Sequence, residues 1–134
     1  MNVYINLSVG NLARSRAFFS ALGFSFDERF CGEDALAMTI NDTTGAMLLT
    51  REKFAGFTPR AVADSTAVSE TLIALQLDDR AAVDAMVAEA LRCGGSEPRP
   101  PLDHGFMYQR SFADPDGHLF EPFVMDIDQM ENAR

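Results

Sequence analysis

The chain has 134 residues, a hydrophobic fraction of 47% and a net charge of −9. This length fits one domain with a real core and is too short for two. With one lysine, Lys53, and no basic stripe, it lacks the cations that neutralise nucleic-acid phosphates or an anionic membrane surface. No apolar run approaches the roughly 20 residues of a membrane-spanning helix. Met1 to Ile5 shows no basic region or cleavage pattern, so no signal peptide is read. Cys31 and Cys93 lie far apart in no metal-binding spacing and read as free thiols. The expected setting is cytoplasmic, with neither nucleic acid nor membrane as partner.

Val3, Ile5, Leu7 and Val9 alternate with Tyr4, Asn6 and Ser8, which predicts a strand with two distinct faces. Asn11 is placed to cap a helix from Leu12 to about Leu22, with Phe18, Phe19 and Leu22 as its apolar stripe and Gly23 as its stop. Phe24 to Phe30, Ala35 to Ile40 and Ala46 to Thr50 read as short strands separated by turn residues. Arg51 to Glu70 is a long polar connection, either a surface linker or a cover over a site. Thr71 to Asp78 predicts a strand and Arg80 to Arg92 a helix stopped at Gly94-Gly95. Phe106 to Phe112 and Leu119 to Met125 are strands joined by Asp114-Pro115-Asp116-Gly117. In that turn a proline presets φ and a glycine is free to take φ > 0.

The second half repeats the first. A shift of 68 residues lays Ile5 to Val9 on Ile73 to Leu77, and a shift of 72 lays Ile40 to Gly45 on Phe112 to Gly117. The repeat predicts an α+β fold of two βαβββ modules, with curved mixed sheets around a cavity and helices outside. Module 1 covers about 1–52, a linker 53–69, module 2 about 70–127, and an acidic tail 128–134, mobile or lying at an interface.

Leu7-x-Val9-x-Asn11-Leu12-x-x-Ser15-x-x-Phe18-Phe19-x-x-Leu22-Gly23-Phe24 resembles the opening module of the vicinal oxygen chelate superfamily. That superfamily holds glyoxalase I, bleomycin resistance proteins and extradiol dioxygenases. Asp114-Pro115-Asp116-Gly117-His118-x-x-Glu121 is similar to its closing hairpin. The resemblance implies the doubled fold, a homodimer, and a metal held by the first and last strands of each module. Its ligand positions fall on Tyr4, on Leu72, on Leu48 or Leu49, and on Glu121. Only the last is a good cation ligand, whereas a catalytic site needs about three protein ligands. No cofactor is therefore expected, with a weak divalent-metal site at Glu121 as the alternative.

If Leu7 faces the outer helix, strand alternation turns Tyr4, Asn6 and Ser8 to the cavity. By the repeat Gln76 faces it too, together with Glu121 and Phe123 of the last strand. Such a mixed lining suits a small, partly polar organic ligand. His104 and Tyr108 are candidates for the cavity mouth, and Arg110 for pairing with Glu121 or an anionic ligand, against the plainer reading of an exposed sheet arginine. Glu121 keeps three readings: a hydrogen-bonded structural carboxylate, an acceptor for a ligand, or a general base of raised pKa. Two function classes stay open. One is a glyoxalase/bleomycin-resistance-like binder of a small molecule without metal; the other is a lyase, isomerase or dioxygenase-like enzyme using Glu121.

Overall fold

The computed structural model describes residues 1–132. It divides into two compact units, Met1–Val68 and a second beginning at Ser69. The fold is α+β, with one mixed sheet in each unit.

In the first unit β1 (Val3–Val9) leads to α1 (Leu12–Ala21), then to β2 (Ser25–Phe26), β3 (Ala35–Asn41), β4 (Thr44–Thr50) and a short α2 (Arg51–Ala55). The sheet order is β1-β4-β3-β2; β1 runs parallel to β4 and the other pairs are antiparallel. In the second unit β5 (Leu72–Gln76) leads to α3 (Arg80–Arg92), β6 (Leu102–Asp103), β7 (Met107–Gln109), β8 (Phe112–Ala113), β9 (Leu119–Met125) and α4 (Ile127–Asn132). Its sheet runs β5-β9-β7-β6, with β5 parallel to β9 and β8 also paired to β9. Strands β7 and β8 lie along one partner, so together they form the single strand that the repeat predicts.

Capping chemistry carries the repeat into three dimensions. The Asn11 side chain accepts from the Arg14 amide, and 68 residues later Asp79 accepts from the Ala82 amide. Each cap satisfies an otherwise orphaned helix-start donor, worth about 1 kcal/mol. Both helices stop at a glycine with positive φ, Gly23 at +99° and Gly94 at +101°, a conformation that costs other residues. This offset is 71 because α3 is three residues longer than α1, with 13 against 10. Under α1 lie Phe18 and Phe19, edge to face at 5.0 Å, with Leu7, Val9, Leu36 and Leu48. Under α3 lie Val83, Val87, Ile73 and the stacked rings of Phe112 and Phe120, 5.2 Å apart. Full burial of each such side chain favours folding by about 1.5–3 kcal/mol.

Two expectations need correction. The strand expected over Phe24 to Phe30 is cut at Phe26, because the Asp27 side chain accepts from the Arg29 amide and starts a 3-10 turn over Glu28–Phe30. Gly45 is not in the turn but in β4, opposite Tyr4. The connection after Thr50 opens on a short helix: Thr50 caps α2, and Arg51 donates to the Val62 carbonyl at 2.9 Å. The acidic tail begins as α4, where Asp126 accepts from the Gln129 amide; its last residues, Ala133 and Arg134, lie outside the described residues.

The Asp114 turn is built around a buried carboxylate. Its Oδ1 accepts from the amides of Asp116 and His118, while Oδ2 is buried with no hydrogen-bond partner among the described residues. Desolvation, reinforced by Asp116 and opposed by His118, pushes its pKa up to about 6. The folded chain therefore binds this proton more tightly than the unfolded chain. The contribution to stability is complete below the ordinary value of 3.8 and is lost as pH rises through about 6. Asp114→Asn keeps the amide acceptor and removes the charge. It is expected to gain stability over the native protein as pH rises from 4 to 7, approaching on the order of 2–3 kcal/mol. Denaturant titrations at several pH values measure the difference; a difference independent of pH contradicts the assignment.

Candidate functional site

Each sheet has a helix-covered face and an open face. In the first, Leu7 and Val9 are buried whereas Tyr4 and Asn6 are exposed. The register sets Tyr4 beside Gly45 and Asn6 beside Met47. A Cβ on Gly45 would sit 3.2 Å from the Tyr4 ring and 3.2 Å from the Met38 carbonyl oxygen, so glycine is what lets the tyrosine ring lie flat against the strand. In the second sheet Ile73, Phe120 and Pro122 are buried, while Leu72, Gln76, Glu121 and Phe123 occupy the open face, with Ala74 opposite Glu121 and Gln76 opposite Phe123.

Glu121 is paired. An Arg99 Nη2 donates to its Oε2 at 2.7 Å and to Gln109 Oε1 at 3.0 Å. Side-chain exposures of 32% for Arg99 and 14% for Glu121 place the pair between the solvated and the buried regime, where geometry decides its worth. Sequence reasoning missed both partners. Arg99 stands among Pro98, Pro100 and Pro101, where the prolines alone drew the reading, and Gln109 becomes visible only from the β7–β9 register.

That register also redirects two candidates. Gln109 lies opposite Phe123, on the Glu121 face, so Tyr108 and Arg110 turn to the α3 side. There the Tyr108 hydroxyl donates to Asp84 at 2.6 Å, and Arg110 donates to Asp84 at 2.9 Å and to both carboxylate oxygens of Glu97 at 2.9 Å. Bonding from Tyr108 and then Arg110 holds the Asp84 carboxyl below its ordinary range; the same bond to Asp84 raises the Tyr108 phenol. The Arg80 guanidinium lies 4.6 Å over the Tyr108 ring, a favourable cation–π contact. Arg110 is therefore committed to acidic partners other than Glu121. His104 is exposed at the β6–β7 turn, its ring stacked 6.2 Å from Phe106. Seven of the eight candidates thus fall on three sheet faces, Tyr4 with Asn6, Gln76 with Glu121 and Phe123, and Tyr108 with Arg110, while His104 stands in the β6–β7 turn.

The same registers correct the equivalence of the last strands. Leu72 pairs with Leu119 as Tyr4 pairs with Gly45, so Glu121 corresponds to Met47 rather than to Leu48 or Leu49. The shift of 72 slipped because the Asp114 turn is two residues longer than its counterpart. The metal positions implied by the resemblance are then Tyr4, Leu72, Met47 and Glu121. A phenol, a hydrocarbon, a thioether and a carboxylate already bonded to a guanidinium do not fit a divalent cation, which calls for hard oxygen or imidazole donors. Among the described residues no cluster of three or more His, Cys, Asp or Glu side chains offers another metal site.

A sequence profile described as "Glyoxalase/Bleomycin resistance protein/Dioxygenase superfamily" matches residues 3–121. The chain belongs to this superfamily. No curated protein matches it. Among solved structures, a hypothetical protein from S. aureus is 27% identical, with a TM-score of 0.79 and coverage of 90% of this chain and 91% of that one. A glyoxalase-related enzyme from Fulvimarina pelagi is 20% identical, with a TM-score of 0.79 over 92% and 87% of the two chains. A fosfomycin resistance protein from Mesorhizobium loti is 18% identical, with a TM-score of 0.65 over 98% and 95%. The last two likenesses establish fold. Among the described residues no helix is long and apolar enough to cross a membrane.

The coupling of Arg99 and Glu121 is measurable. In a double-mutant cycle with Arg99→Met and Glu121→Gln, each single variant is expected to lose about 1–2 kcal/mol and the double to lose less than their sum. Additive losses in chemical denaturation would show the pair to be uncoupled.

Proposed function

We propose that the protein binds a small, partly polar organic molecule against the open face of the β5-β9-β7-β6 sheet, without a divalent metal. The observation that carries this reading is the Arg99–Glu121–Gln109 cluster, a carboxylate fixed by a guanidinium on a sheet face otherwise lined by Leu72, Leu119 and Phe123. A few oriented polar groups within apolar walls suit recognition of a small ligand. The half-exposed Arg99 and the exposed Gln76 amide supply donors, and Glu121 accepts. Membership of a superfamily that includes bleomycin resistance proteins is in keeping with binding as an end in itself, although fold alone does not assign function.

The second reading is an isomerase- or lyase-like enzyme with Glu121 as general base. It requires the carboxylate to exchange Arg99 for a substrate proton, and the 2.7 Å bond favours the binding role. Protein purified without chelator is expected to carry far less than one equivalent of Zn, Mn, Fe or Ni by elemental analysis. Native mass spectrometry is expected to show a small-molecule adduct that Glu121→Ala loses. One equivalent of metal that survives gel filtration and disappears in Glu121→Ala would overturn the reading.

A further inference from the structure

Glu97 and Arg99 lie on one short segment, 97–101, between two anchors in the second sheet. At one end Ser96 and Ala113 exchange main-chain hydrogen bonds at 3.1 and 2.8 Å; at the other Leu102 pairs with Gln109. Pro98, Pro100 and Pro101 lack the N–H that a ladder needs, so side chains decide where the segment lies. In an ordinary strand, residues two apart share a face. Here they do not. Glu97 accepts from Arg110 Nε and Nη2, each at 2.9 Å, on the α3 side, whereas Arg99 donates to Glu121 at 2.7 Å on the open side.

Both residues stand directly before a proline, which steers them to extended or polyproline conformations. A run with three residues per turn sends side chains two apart in different directions. The segment is therefore stiff, and fixing Glu97 fixes the direction in which Arg99 leaves it. Arg110 and Glu97 meet as a two-bond fork with side-chain exposures of 18% and 22%, and such forks add direction to attraction. Arg110 is itself held. Its main-chain N–H donates to the carbonyl of Pro122, the neighbour of Glu121, at 3.1 Å, and its Nη1 donates to Asp84 of α3 at 2.9 Å.

We propose that Glu97 and Arg110 are positioning residues for Glu121, their ion pair on the helix side setting Arg99 on the carboxylate across the sheet. They act through Pro98 and Arg99. The inference rests on the reading of Glu121 as the recognition group of the open face, but its test needs no ligand, so the two can fail separately.

The readout is rotation about the Nε–Cζ bond of Arg99, followed in ¹⁵N-labelled full-length protein as exchange between its two Nη resonances. Nη2 is bonded to both Glu121 and Gln109, so rotation must break those bonds. Glu121→Gln is expected to speed it about tenfold, the opening that loss of one charge-assisted bond allows. Glu97→Gln, far along the segment, should speed it to a similar degree. Pro98→Ala should speed Arg99 while leaving the corresponding rotation of Arg110 unchanged. Tyr108→Phe removes a bond to Asp84 but spares the Glu97–Arg110 fork, and should leave Arg99 unchanged. Unaltered Arg99 rotation in Glu97→Gln or in Pro98→Ala would overturn the positioning role, as would acceleration in Tyr108→Phe equal to that in Glu97→Gln. Unaltered rotation in Glu121→Gln would show that Glu121 does not hold Arg99, and would overturn the reading of the open face together with this inference.

Discussion

The parallel pairing of the first and last strands within each unit is the constraint on which the rest of the structure depends. Parallel neighbours cannot be joined by a tight turn; the chain must leave the sheet and return, and α1 or α3 makes that excursion. The helix then buries one face of its sheet. Strand alternation does the rest, sending Leu7, Val9, Ile73 and Phe120 beneath a helix and leaving Tyr4, Asn6, Gln76 and Glu121 on the opposite face. A carboxylate in the middle of a strand is tolerable only because its strand has this second face.

Glu121 is held there by a break in the neighbouring edge. Ser96 bridges Ala113, and Leu102 then pairs with Gln109, but the segment between them carries three prolines that cannot donate to a ladder. Freed from the ladder, Glu97 reaches Arg110 on the helix side and Arg99 reaches Glu121 on the open side. Two ion pairs thus clasp one stiff segment from both faces. The proline content limits how far Arg99 can stray, so the guanidinium meets the carboxylate at low entropic cost. The Glu121 carboxylate is thus already paired with a guanidinium, and neither Met47 nor Leu72 carries a hard donor.

Much of the fold was legible in the sequence because its signals are local. Asn11 as a cap, Gly23 and Gly94 as stops, the alternating apolar residues of β1 and the apolar run of β9 each depend on a few neighbours in the chain. The cut at Phe26 was not legible, since it depends on the hydrogen bond that a single side chain, Asp27, accepts from the Arg29 amide. For the site, alternation was sufficient to group Glu121 with Gln76 and Phe123. It was insufficient for Arg99, whose approach depends on an irregular segment with no period, and for Arg110, whose direction depends on a pairing register between distant strands. The slip from Met47 to Leu48 or Leu49 has the same origin: a turn two residues longer moves every later residue while leaving the sequence similarity intact.

The central claim is that a guanidinium, not a metal ion, satisfies Glu121. Its most direct test is ¹⁵N-detected NMR of the Arg99 side chain during titration with Zn²⁺ and Ni²⁺. The account predicts an Arg99 Nε resonance, identified by its loss in Arg99→Lys, that neither ion shifts at stoichiometric concentration. A stoichiometric shift of that resonance, accompanied by release of Arg99 from Glu121, would contradict it.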